Sequence, residues 1–144
     1  MSSQIVVGGL VSIANFVIHA LITGLIVVAT AHTAALTSHR RIFWRVSALL
    51  LITTSVLMCA HLVEVAVWAT FYAAMGVTAT PIGVFEFAFE NYTTLGYGDA
   101  LPASGQRLYV AITSLNGLLL IGWSVAIIFE VLRMAEFGIG GNTR

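Results

Sequence analysis

The chain contains no lysine, and only 8% of its 144 residues are charged, against about 25% in an ordinary soluble domain. Six arginines balance six acidic side chains, so no net field draws in a nucleic acid or an acidic partner. Cysteine is nearly absent. Cys59 alone can close no disulfide within the chain and supplies no C-x-x-C metal spacing. Set in an apolar run, it is expected to be a small buried hydrophobe. What fills the chain instead is apolar: 59% of residues are hydrophobic and the mean hydropathy is +0.99. These values exclude a soluble globular enzyme, a disordered tail and a basic nucleic-acid binder. They fit an all-α, polytopic membrane protein.

The apolar residues fall into three long runs and one short one. Residues 5–31 carry no Asp, Glu, Arg or Lys, and about 20 apolar residues suffice to cross the hydrocarbon core. The leading Met1-Ser2-Ser3-Gln4 has no positive charge, and the run far exceeds a signal-peptide core. A retained first helix is expected. The second run continues from Arg45 to about residue 74, interrupted only by His61 and Glu64, and Gly76 and Pro81 then end it. Residues 108–129 form the third and are free of charge. Between them, residues 82–93 are apolar and aromatic but too few to span, so a re-entrant segment is expected there.

Arginine placement predicts the topology. Arg40, Arg41 and Arg45 cluster between the first two spans, and Arg133 and Arg144 follow the third, with Arg107 the single dissenter. By the positive-inside rule that side is cytoplasmic and the N-terminus is outside. The predicted organisation is an additional N-terminal helix and basic loop over 1–41 and a pore domain over 42–136. That domain divides into an outer helix 42–76, a pore helix 82–93, a filter 94–99 and an inner helix 107–136. A flexible tail, 137–144, follows, with no cytosolic ligand-binding domain expected after it, and the first helix lacks the arginine series of a voltage sensor.

The short run leads into Thr93-Thr94-Leu95-Gly96-Tyr97-Gly98-Asp99. Glycines at alternate positions adopt positive φ at little steric cost, so successive carbonyls can turn to one side. Residues 94–98 can thus present a ladder of neutral oxygens, with Thr94 Oγ1 at its inner end. One chain forms only one wall of such a ladder, so several chains must surround the axis.

Thr94-Leu95-Gly96-Tyr97-Gly98-Asp99 resembles the potassium-channel selectivity filter, and the resemblance extends over roughly residues 45–136. It implies a homotetramer in the lipid of the cell membrane. In it K+, the permeant ion, is held at Thr94, Leu95, Gly96, Tyr97 and Gly98, with no covalent cofactor, no catalysis and no nucleic acid. Glu90 and Asp99, nine residues apart, resemble the family's carboxyl–carboxylate pair behind the filter, in which one pKa should rise. Pro102 is similar to the proline leading toward the inner helix, and Gly117 to the inner-helix hinge. Two departures stand out. Glu86 replaces an early pore-helix aromatic and shares a helix face with Glu90; Tyr92 is bulkier than the small residue common before the threonines. If these loosen the filter, a weakly selective monovalent cation channel results.

Ionisable groups at membrane depth are functional candidates. His61, Glu64 and Trp68 follow i, i+3, i+7 spacing on one face of the second helix. At 1.5 Å per residue, His19 and His61 lie about 21 and about 20 Å below the outer ends of their helices, so the imidazoles can meet. His19, His61 and Glu64 are candidates for pH sensing; a b-type haem held by His19 and His61 is the rival from another class. On the last helix, Leu118, Ile121, Val125 and Phe129 recur at three- and four-residue spacing as candidates, with Gly117, for cavity or gate. Glu130, Arg133 and Glu136 beyond them are candidates for pH-dependent intersubunit ion pairs or for a solvated helix end.

Overall fold

A computed structural model of the chain describes residues 2–36, 42–78 and 83–140. It is all-helical: α1 (Ser2–Leu36), α2 (Ile42–Met75), α3 (Val84–Tyr92) and α4 (Arg107–Gly140). Among the described residues three helices are long and apolar enough to cross a membrane, over Ser2–Thr33, Phe43–Met75 and Arg107–Ala135. A helix satisfies its own backbone groups, which lipid cannot. Helix α3 is short, Val84–Tyr92 where 82–93 is expected, with residue 82 outside the described residues. Helix α4 continues past residue 136 to Gly140 because its apolar sequence meets no proline there. Arg40, Arg41, Arg144, the side chain of Glu136 and residues 141–144 lie outside what is described.

Polar ties between the helix ends fix their relative directions. Gln4 Nε2 donates to the Gly105 carbonyl at 2.6 Å, and Gln106 Nε2 donates to the Met75 carbonyl at 3.0 Å. Ala103 N donates to the Val77 carbonyl at 2.6 Å beside a bridge between Thr78 and Pro102. The start of α1, the end of α2 and the start of α4 therefore share one end of the molecule. Gly76, at φ +60°, closes α2 with a left-handed turn that a side chain would resist. At the opposite end, buried Arg45 sits inside α2 and its Nη2 donates to the Ala135 carbonyl at 2.9 Å. A guanidinium there complements the negative C-terminal end of α4.

The main core surrounds α3. Val65, Trp68 and Tyr72 of α2 pack with Phe87, Ala88 and Tyr92 of α3 and with Tyr109 and Leu120 of α4. A smaller cluster of Ile26, Leu57 and Val131 closes the other end. Helix α1 lies close along α4, where a Cβ on Gly8 would come within 2.8 Å of Ile112 Cδ1; small residues permit such close packing in membranes. The outward faces are apolar, as at Leu21, Leu51 and Met58. Cys59 belongs to one of them. It is exposed rather than buried, because an apolar run in a lipid-facing helix does not mark an interior, and a thiol is apolar enough for lipid.

Candidate functional site

The C-terminus of α3 leads directly into a backbone of alternating hand. Leu95 N donates back to the Glu90 carbonyl at 2.8 Å and Thr94 N to the Asn91 carbonyl at 3.2 Å. From there, Thr94, Gly96 and Gly98 have φ of 59°, 51° and 82°, whereas Leu95 and Tyr97 stay at negative φ. Alternation of this kind turns successive carbonyls to one side of the strand. Sequence reasoning anticipates the two glycines but not Thr94. A β-branched residue in the left-handed region is a true outlier, costing about 1–3 kcal/mol, and such strain concentrates at functional sites. Residues 94–99 are all exposed, with Tyr97 70% accessible.

Behind this loop, Glu90 is buried and its Oε1 has no hydrogen-bond partner, while Asp99 and Glu86 are exposed. The expected pair is thus not a hydrogen-bonded contact; Asp99 acts on Glu90 through space. Burial first, then the charges of Asp99 and Glu86, push the Glu90 carboxyl above its ordinary value of 4.5. A raised folded-state pKa contributes stability that is complete below 4.5 and lost as pH rises through the folded value. Glu90→Gln, neutral at every pH, is expected to match the wild-type unfolding temperature at pH 4 and to exceed it at pH 8. An equal difference at both pH values would contradict a raised Glu90.

Glu64 is the centre of a buried cluster drawn from all four helices. His19 Nδ1 lies 2.8 Å from Glu64 Oε1 and His61 Nδ1 lies 3.0 Å from Oε2, both at hydrogen-bond distance. The Tyr92 hydroxyl donates to Oε2 at 2.5 Å and also lies 2.8 Å from His61 Nδ1. Ser124 Oγ stands 2.9 Å from His61 Nε2 and 3.4 Å from His19 Nε2. The two imidazoles meet, with ring centroids 5.4 Å apart. Sharing one carboxylate and one hydroxyl, they leave no slot for the porphyrin that a bis-histidine haem would insert between them. Tyr92 departs from the small residue expected because its hydroxyl reaches this cluster.

A second polar knot was not anticipated from the sequence. Asn15 Nδ2 donates to Asn116 Oδ1 at 3.1 Å and to the Glu64 carbonyl at 3.3 Å, and Trp68 Nε1 donates to Asn116 Oδ1 at 2.9 Å. An asparagine inside an otherwise apolar span was the available signal, since polar side chains join helices in lipid. Gly117, next to Asn116, lies against α3, and a Cβ there would overlap the Tyr92 carbonyl. Its glycine is required for close approach, within an α4 that runs continuously through it.

The inner-helix stripe is uncovered in the single chain: Leu118, Ile121, Val125 and Phe129 are all exposed. Arg133 Nη2 pairs with Glu130 at 2.8 Å within its own helix. The described part of the expected intersubunit cluster is therefore an i, i+3 pair on a partly solvated turn, favoured because the two side chains share a face.

The fold is three helices long and apolar enough to cross a membrane, with a short helix and a loop of alternating backbone hand packed at one end. A family model described as "Ion channel" matches residues 60–134, more than half of the chain. The chain belongs to this ion-channel family. The match spans the latter part of α2 from residue 60, all of α3 and its loop, and most of α4; α1 precedes it. No curated protein and no solved structure matches the chain.

Proposed function

We propose that four copies of this chain surround one axis and conduct K+ selectively and passively, through a filter formed by residues 94–98. The observation carrying this reading is the alternation of left-handed Thr94, Gly96 and Gly98 with Leu95 and Tyr97. A rank of carbonyls facing one way replaces the hydration shell of a cation that accepts neutral oxygen ligands. The C-terminal end of α3 adds to it. Its partial negative charge, roughly half an elementary charge, adjoins Thr94 at the inner end of the ladder. The chain's own contacts leave residues 94–99 and the α4 stripe uncovered, which supports neighbouring copies as their cover.

The orientation proposed has the N-terminus outside and the C-terminus in the cytoplasm of a cell membrane. Its support is Arg45, which ties the start of α2 to the end of α4; the positive-inside rule assigns that end to the cytoplasm. The filter end then faces outward.

Protein reconstituted in liposomes should carry K+ flux under a K+ gradient and far less Na+ flux under a Na+ gradient. Comparable fluxes would make the pore a weakly selective cation channel, and no flux of either ion would reject conduction. Mass measurement of the detergent-solubilised protein should give a tetramer. A conducting monomer or dimer would overturn the axial arrangement, since one or two loops cannot enclose an ion.

A further inference from the structure

Without an added proton or cation, the His19–His61–Glu64 cluster has a defect in its hydrogen-bond count. Both Nδ1 atoms face Glu64 oxygens; with Glu64 ionised and both imidazoles neutral, both carry N–H, because a carboxylate accepts only. Neutral imidazoles then present two bare Nε2 lone pairs to Ser124. That hydroxyl has one proton and stands 2.9 and 3.4 Å from the two nitrogens. One lone pair is therefore left opposite another, in a site where His19 and Glu64 are fully buried. An unmatched buried polar atom is costly.

One added proton closes the count, with Ser124 accepting from one ring and donating to the other, and so does a divalent cation. Bound on the Nδ1 edge, it takes both Nδ1 lone pairs and a Glu64 oxygen, and each imidazole moves its proton to Nε2. Ser124 Oγ, with two lone pairs, then accepts from both rings. Its own proton is freed for the carbonyl one turn back, the bond that Ser12 and Thr113 make in α1 and α4. A hydroxyl accepting from both ligating rings is the outer support that fixes metal-binding histidines.

The distances allow it. One ligand atom from each of His19, His61 and Glu64 lies within 4.8 Å of the others. A tetrahedral site with bonds of about 2.0–2.1 Å places its ligand atoms about 3.3 Å apart. Two imidazole nitrogens and one carboxylate oxygen suit Zn2+ or Co2+, whereas Mg2+ and Ca2+ prefer all-oxygen sets and Cu+ prefers sulfur. The Tyr92 hydroxyl stands beside the fourth position. His61, 19% exposed, offers the way in. We propose that His19, His61 and Glu64 form a site for a borderline divalent metal ion of the Zn2+ class, clamping α1 to α2 beside the end of α3. Helix α1, which lies ahead of the family-matched segment, thereby contributes a ligand to the pore domain. The inference does not rest on K+ selectivity.

The test titrates Co2+ into the metal-stripped full-length protein in detergent. One equivalent per chain should bind, with the intense visible absorption of a four-coordinate site, and Zn2+ should displace it. His19→Gln, His61→Gln and Glu64→Gln should each weaken binding at least tenfold, and Ser124→Ala about tenfold. His32→Gln, on an exposed residue of α1, should bind as the wild type does. The wild type alone provides a check that needs no variant to fold: Zn2+ should shift the imidazole Nδ1 resonances of two histidines. No Co2+ binding, a six-coordinate spectrum, retention in both histidine variants, or Zn2+ shifts at Nε2 instead would each overturn the site. A cluster completed by an added proton rather than a metal gives the first of these results.

Discussion

Gly96→Ala is expected to abolish selective K+ conduction while leaving the fold intact. Gly96 has φ +51°, and an ideal Cβ there meets no atom within 4 Å. The effect is therefore conformational and not a clash. An L-residue held in the left-handed region costs about 1–2 kcal/mol, and a tetramer would carry that strain four times. Rotation of the peptide plane relieves it and swings a carbonyl away from the axis, so the ion loses a ring of ligands that water cannot replace inside the filter. Liposome flux should fall to background or lose K+ preference, with an unchanged unfolding temperature. Wild-type K+/Na+ discrimination in this variant would remove residues 94–98 as the filter.

The elements that were legible from the sequence are those set by local pattern. Long apolar runs anticipate α1, α2 and α4 because a span needs only length and apolarity, and Gly96 and Gly98 announce their conformation because glycine is the residue that tolerates it. The histidine meeting was also legible, since depth follows from counting residues along two helices. Thr94 was not. Its positive φ is imposed by the end of α3 and the glycines around it, against its own preference. Cys59 misled for the opposite reason: in lipid the apolar side of a helix faces outward, so hydrophobic context does not report burial.

Long-range partners were the least legible. Glu86 and Tyr92 both stand out as departures in the motif's neighbourhood, yet only Tyr92 joins the interior, through Glu64 and His61 on α2. Glu86 remains exposed and acts on Glu90 by charge alone. Nothing local separates the two; the difference lies in which face of α3 meets α2. Asn15 and Asn116 are 101 residues apart in the chain, and their pairing depends on α1 lying against α4, which no periodicity within either helix specifies.

Gly117→Ala carries the second large expected effect, for a reason opposite to that at Gly96. Here φ is helical, and alanine in a helix interior would by itself gain about 1 kcal/mol over glycine. Against that, its Cβ overlaps the Tyr92 carbonyl, a backbone atom that cannot rotate out of the way. Overpacking typically costs about 1–3 kcal/mol, so the clash outweighs propensity. Relief requires the end of α3 to move off α4. That movement strains the Ser114 bond to the Asn91 carbonyl and the Tyr92 bonds to Glu64 and His61. It also displaces Thr94, the first residue of the proposed filter. The expected result is a lowered unfolding temperature together with loss of flux. Gly24→Ala is the matched control: it lies on an exposed part of α1 with nothing within 4 Å of its Cβ, and should keep or slightly raise stability with flux intact. If Gly117→Ala behaved like Gly24→Ala in both measurements, α3 would not rest on α4 at this point. If it kept its stability and changed only the fraction of time spent conducting, bending of α4, not close approach, would be the reason for the glycine.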